Sequence, residues 1–249
     1  MKIHGSTALV TGGGSGFGRR LTERLVESGS SVAVLDVDFE SIEALKALLP
    51  NVYGLVCDVA DDAQVEQAVQ SVTNQLGSID ILVNNAGIMT SAPLVNLLAK
   101  GNRRHPRELW HRVIDVNLNS VFYLTSTIAE QMVRDRRKGV IVNISSISAR
   151  GNAGQSAYSA TKAAVEALTK VWAKELGPFG VRCAALAPGF ANTQGAADAL
   201  ESKLLDRWVE QVPLHRLAEI DEVVDGIIFV IENDFFNGRV LKIDGGLVV

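Results

Sequence analysis

TALVTGGGSGFGRRLTERL, Thr7 to Leu25, joins a short apolar, β-branched run to a helical one through a glycine-rich turn. Gly12, Gly16 and Gly18 fall between strand and helix, where the backbone must approach a bound group closely. The first helical turn beyond them offers free N–H groups and the positive end of the helix dipole, which suits a pyrophosphate. Ser15 and Phe17 belong to the same turn. The spacing is G-xxx-G-x-G rather than the general dinucleotide spacing G-x-G-x-x-G, so its weight comes from its place at the first strand–helix junction.

Outward from this unit the same alternation continues. Strand-like runs occur at Thr7–Thr11, Ser31–Asp36, Val52–Cys57, Ile79–Asn84, Val140–Ser145, Val181–Ala187 and Arg239–Ile243. Most are continuously apolar, as strands buried on both faces of a parallel sheet are. Helical patterns lie between and after them at Gly16–Ser28, Phe39–Leu48, Asp61–Leu76, Arg107–Arg136, Ala157–Leu176, Leu200–Gln211 and Glu219–Glu232. Strict β-α alternation predicts an α/β fold, a doubly wound parallel sheet of about seven strands with helices on both faces. With no internal repeat or linker, residues 1–249 read as a single domain. Two stretches break the rhythm, Met89–Pro106 and Pro188 to about Val212. Both follow strands at the carboxyl edge, where ligands bind in such sheets, so segments 89–106 and 189–213 are expected to form substrate walls.

Composition excludes several classes. A net charge of −4 leaves no basic footprint for nucleic acid. No segment approaches the ~20 apolar residues that span a bilayer. His4, His105, His111 and His215 are scattered without metal-ligand spacing, so no metal is expected. Cys57 and Cys183 both lie in apolar runs, as in a reduced, cytoplasmic protein.

Polar residues collect at the strand ends. Asp36 closes the second strand about 20 residues beyond the last glycine of the turn. A carboxylate there accepts hydrogen bonds from the adenosine ribose and repels a 2′-phosphate. No Lys or Arg stands at position 15 or 37 to offset it, which favours NAD over NADP. Asp58 and Val59 end the third run, Asn84-Asn85-Ala86-Gly87 the fourth, and Ser145-Ser146 the fifth. Further on, YSATK places Tyr158 and Lys162 at i and i+4 on one helix face. A cation one turn away favours the phenolate. Bringing a phenol from about 10 to about 7 takes roughly 4 kcal/mol of differential stabilisation.

Taken in order, TGGGSGFG, Asp36, CDV, NNAG, Asn117 in DVNLNSVF, NISS, YSATK and APGFANT resemble the short-chain dehydrogenase/reductase family of single-domain, Rossmann-like enzymes. The resemblance implies an oxidoreductase that interconverts a secondary alcohol and a ketone, with a tetrad of Asn117, Ser146, Tyr158 and Lys162. Tyr158 would exchange the proton, Lys162 would lower its pKa and hold the nicotinamide ribose, and Asn117 would hold a water linking Lys162 to solvent. Pro188, Gly189, Ala191 and Thr193 would cover the nicotinamide. Counting back 13 residues from Tyr158 selects Ser145, whereas aligning along the strand from Gly139 selects Ser146, the choice adopted because loops absorb deletions and strands do not.

The resemblance also implies a homotetramer, in which Trp172 could serve the interface or the core. The long loop after NNAG and the ending IENDFFNGRVLKIDGG resemble members acting on 3-hydroxyacyl-CoA and hydroxysteroids. The basic segment KGNRRHPR could meet CoA phosphates or be a solvated charge cluster. Leu94, Leu97, Leu98, Phe190, Leu204, Leu205 and Trp208 suggest a largely apolar small-molecule substrate. A non-catalytic NAD-binding sensor or scaffold is the rival class.

Overall fold

The computed structural model describes residues 1–192 and 209–247. Its strands are β1 (Thr7–Thr11), β2 (Ser31–Asp36), β3 (Tyr53–Val56), β4 (Ile81–Asn84), β5 (Gly139–Ile144), β6 (Val181–Pro188) and β7 (Val240–Ile243). They form one seven-stranded sheet in the order β3-β2-β1-β4-β5-β6-β7, with every pairing parallel. The order reverses between β1 and β4, and at that switch point the strand ends open a crevice.

Helices α1 (Gly16–Glu27), α2 (Phe39–Leu48), α3 (Asp62–Leu76), α4 (Arg107–Ile114), α5 (Ser120–Arg134), α6 (Ser156–Leu176) and α7 (Ile220–Glu232) cover the sheet. Period-two alternation sorts the strand residues between two cores. Ala8, Val10, Ile81, Val83, Val140 and Val142 pack with α1, α2 and α7. Leu9, Leu82 and Ile141 pack with α3, α5 and α6, and Trp172 of α6 is buried in this second core.

The expected continuous helix Arg107–Arg136 is instead α4 and α5 joined by a π-helical turn, Asp115–Asn119. Its sequence DVNLN combines a β-branched residue with two asparagines, all weak helix formers, and the wider turn swings Asn117 inward. The expected helix Leu200–Gln211 falls largely outside the described residues, as do Thr193, Leu204, Leu205 and Trp208. Among the described residues no helix is long and apolar enough to cross a membrane.

At the edge opposite the crevice, Asp80 is 7% exposed and accepts from Thr7 N at 3.0 Å and from Arg137 Nη2 at 2.6 Å. It thereby ties the start of β1 to the loop preceding β5. Removing the carboxylate leaves the buried Thr7 N–H without its acceptor, while the half-exposed Arg137 turns to solvent. Asp80→Ala should cost about 2 kcal/mol, read as a lower urea midpoint at unchanged m-value.

Candidate functional site

The glycine turn is shaped for close approach. Gly12 has φ +60°, and a Cβ on Gly18 would lie 2.1 Å from the Gly12 carbonyl oxygen, so any side chain there collides with backbone. Ser15 caps α1 without a side-chain hydrogen bond, leaving the first-turn N–H groups to a ligand. Asn85 fastens the turn to the end of β4: its Nδ2 donates to Thr11 O at 2.9 Å and to Gly12 O at 3.0 Å. The Thr11 hydroxyl accepts from Asn85 N and Ala86 N, at 3.0 and 2.9 Å. Asp36 Oδ2 accepts from Gly14 N at 2.9 Å, holding the carboxylate against the turn.

These residues border a cleft of about 900 Å³. Gly12, Ser15, Gly16, Phe17, Asp36, Asp58, Val59, Asn85, Ala86 and Gly87 all line it. Gly18 shapes the turn from below, and Thr193 lies outside the described residues. The cleft's size, glycine floor and strand-end carboxylate fit a nicotinamide dinucleotide. The sequence reading did not find its opposite wall, where α4 and the turn after it contribute Glu108, His111, Arg112, Asp115 and Val116. Those residues carry no motif, and only the packing of α4 brings them there.

A second cavity, about 320 Å³, shares Phe17, Asn85, Gly87 and Ile88 with the first. Ser146, Tyr158, Lys162, Pro188, Gly189 and Ala191 line it, together with Met89 and Phe190. Lys162 is 5% exposed and donates from Nζ to Ile144 O at 2.7 Å. Its Nζ lies 5.6 Å from the Tyr158 ring centroid. Burial brings the ammonium down to about 8. Burial also raises the Tyr158 phenol, and a hydrogen bond with Ser146 pulls it partly back. The net direction for the phenol is upward, burial outweighing the Ser146 contribution.

The two serines part company. Ser145, 1% exposed, turns toward α6 and donates to Glu166 Oε1 at 2.9 Å. Ser146 accepts from Ser148 N at 3.1 Å, which leaves its own hydroxyl proton available to donate. Asn117, 1% exposed, accepts from Ile88 N and donates to Ile88 O, both at 2.8 Å. Asn117 Oδ1 and Lys162 Nζ lie 3.4 and 3.6 Å from where a Cβ on Gly87 would sit, so a side chain there would enter between them.

The long loop after β4 is pinned beside this cavity. Ala92 N donates to Gly154 O at 2.7 Å, and Val95 bridges Arg104. Leu94, Leu97 and Leu98 are 71%, 74% and 94% exposed and do not line the described cavity, contrary to their reading as substrate wall. Among the described residues no cluster of His, Cys, Asp and Glu could hold a metal ion.

Comparison with known proteins agrees with this arrangement. The sequence model of the short chain dehydrogenase family matches residues 6–203. The chain is 37% identical to a 3-oxoacyl-(acyl-carrier-protein) reductase, FabG, of Thermotoga maritima, over the whole of both chains. It is 34% identical to human 3-hydroxyacyl-CoA dehydrogenase type-2, across 98% of this chain and 96% of that one. A crystal structure of a 3-ketoacyl-(acyl-carrier-protein) reductase from Brucella melitensis complexed with NADH superposes with a TM-score of 0.87 at 28% identity. It covers 99% of this chain and 100% of that one. With an all-parallel sheet, a glycine cleft at its switch point and such relatives along its full length, the chain belongs to the short-chain dehydrogenase/reductase family of oxidoreductases.

Proposed function

We propose that the protein interconverts a 3-hydroxyacyl and a 3-oxoacyl thioester, with NAD(H) as cofactor and Tyr158 as general acid and base. One observation carries this reading: Ser146, Tyr158 and Lys162 share a cavity that opens into the glycine-floored cleft. The substrate class is drawn from the names of relatives on both sides, one acting on acyl-carrier-protein thioesters and one on CoA thioesters. A bound nicotinamide dinucleotide supplies or accepts the hydride.

The chain's residues do the rest. The first-turn N–H groups of α1 hold the pyrophosphate, and Asp36 takes the adenosine ribose. The Ser146 hydroxyl donates to the substrate oxygen as charge builds on it, an electrostatic role that a preorganised donor performs without rearrangement. Tyr158 passes or takes the proton at that oxygen. Lys162 supplies positive charge beneath it and stays near the nicotinamide ribose. Asn117 holds Gly87 and Ile88 in place beside Lys162. Met89 and Phe190 line the substrate side of the cavity.

Three outcomes check this reading. Wild-type enzyme should reduce acetoacetyl-CoA or an acetoacetyl-carrier-protein at a higher kcat/KM than a simple aryl ketone; the two thioesters separate the carriers, and activity on neither removes the substrate class. Tyr158→Phe should lower kcat about a thousandfold while NADH still binds by fluorescence titration. Unchanged turnover in that variant would establish the rival, a chain that binds the cofactor without Tyr158 chemistry.

Cofactor choice should favour NADH over NADPH by about a hundredfold in kcat/KM, because the Asp36 carboxylate faces the added phosphate. Asp36→Ala should narrow the ratio to within about tenfold, and an unaltered ratio would place selectivity elsewhere.

Lys162 makes the site costly to the fold. Its folded pKa, about 8, lies below the ordinary 10.5, so the penalty of burying the charge is complete below pH 8. Between the two values the unfolded chain binds more protons, and stability rises with pH. Lys162→Met should therefore be more stable than wild type at pH 7, by on the order of 3 kcal/mol. That advantage should shrink as pH rises from 8 to 10.5, read from urea midpoints of both proteins; a constant difference would contradict the burial cost.

A further inference from the structure

Three consecutive residues at the end of β5 each engage a different residue of α6. The Ile144 carbonyl takes the Lys162 ammonium at 2.7 Å. The Ser145 hydroxyl gives its proton to Glu166 Oε1 at 2.9 Å, with the Lys162 carbonyl at 3.4 Å. Ser146 stands beside Tyr158 in the cavity that both line. The helix partners 158, 162 and 166 are spaced four apart and form one stripe. Strand alternation sends the Ser145 and Ser146 side chains to opposite faces, so they cannot substitute for each other. The first and third of these contacts belong to the proposed chemistry. The second is made by Ser145, which lines the same cavity, to a residue, Glu166, that lies outside it.

We propose that Glu166 is a positioning residue: by holding Ser145 it fixes the end of β5 against α6 and so sets the approach of Ser146 to Tyr158. This rests on the reading of Ser146 and Tyr158 given above. Main-chain pairing holds this segment on its other flank, where Ser145 N donates to Leu186 O at 2.7 Å, at the last ladder rung between β5 and β6. Beyond that rung the chain leaves the sheet, and Ser146 caps the short 3-10 turn Ile147–Arg150. Ser145 is thus the last residue before the backbone is free to drift, and its side chain is buried.

A bond from a hydroxyl to a carboxylate is stronger than a neutral one, which suits a tie that must resist such drift. Glu166 is reached by solvent through a separate cavity of about 160 Å³, lined also by Arg150, Lys242 and Asp244, behind the Ser146–Ile147 wall. The carboxylate can therefore keep hydration on that side while serving the serine on the other. Without it, the Ser145 hydroxyl retains only the longer contact to the Lys162 carbonyl, which constrains α6 less.

The test uses Ser145→Ala, Glu166→Ala, the double variant and Glu166→Gln, whose amide oxygen can still accept from Ser145. Expected is a fall in kcat of about tenfold in each alanine variant, with no further loss in the double variant, since both break one contact. NADH affinity by fluorescence titration should stay within about twofold, and Glu166→Gln should recover kcat to within about threefold of wild type. Crystal structures of the alanine variants should show the Ser146 hydroxyl moved away from the Tyr158 phenol. That last readout does not depend on turnover, so an inactive wild type would defeat the proposed reaction while leaving this geometry to be judged directly. Unmoved Ser146 in those structures would overturn the proposal. So would full kcat in Glu166→Ala, additive losses in the double variant, or loss of NADH affinity in step with kcat, which is what general loosening of the fold would give.

Discussion

Lys162 keeps its ammonium 5% exposed, with the Ile144 carbonyl at 2.7 Å as acceptor and no carboxylate within ion-pair distance among the described residues. An uncompensated buried cation is among the more expensive things a fold can hold, because the hydration it loses is not returned by one carbonyl. The surrounding structure makes it possible. α6 lies against β5 and β6 through Val165, Trp172, Val181 and Cys183, a packed core that keeps the helix where the cation must stay. The strand end supplies the carbonyl, and Gly87 leaves space beside Nζ that any side chain would take. Helix, sheet edge and glycine loop are thus organised around one charge that costs the fold stability.

Much of the fold was legible in the sequence because parallel sheets write themselves plainly. Strands buried on both faces need unbroken apolar runs, and TALVT, SVAVLD and GVIVNI supply them next to glycine or polar punctuation. What periodicity could not show was the π turn at Asp115–Asn119, since one extra residue in a turn barely disturbs a hydrophobic pattern. That residue nevertheless determines where Asn117 points. Trp172 was likewise ambiguous between core and interface until its neighbours were known, and it is buried in the second core of the chain.

The site divides in the same way. Motif residues at strand ends were readable because topology alone delivers them to one edge. Glu108, His111, Arg112 and Asp115 were not, since they reach the cleft through the angle at which α4 crosses it. Leu94, Leu97 and Leu98 misled, because apolar character in a loop says nothing about which way it faces. For the serines, counting residues to Tyr158 and aligning the strand gave different answers. The structure distinguishes the two by partner: Ser145 donates to Glu166 Oε1, and Ser146 accepts from Ser148 N.

Register is the quantity on which that distinction depends, and the chain guards it with buried polar groups just below the site. Asn84 and Asn143 are direct partners in the β4–β5 ladder, and Asn84 Nδ2 donates to Asn143 Oδ1 at 2.8 Å and to Thr125 Oγ1 at 3.0 Å. Asn143 Nδ2 in turn reaches Thr169 Oγ1 at 2.9 Å on α6. Valine or isoleucine at these two positions would fill the same space, but apolar contacts tolerate a slip that directional bonds do not. A slip by one residue would turn the Ser146 hydroxyl away from the cavity it lines and carry Asn85 away from the glycine turn it fastens. The Asn84–Asn143 pair sits one residue before Asn85 on one strand and two before Ser145 on the other, at the last rung of the β4–β5 ladder, from which both errors can be prevented together.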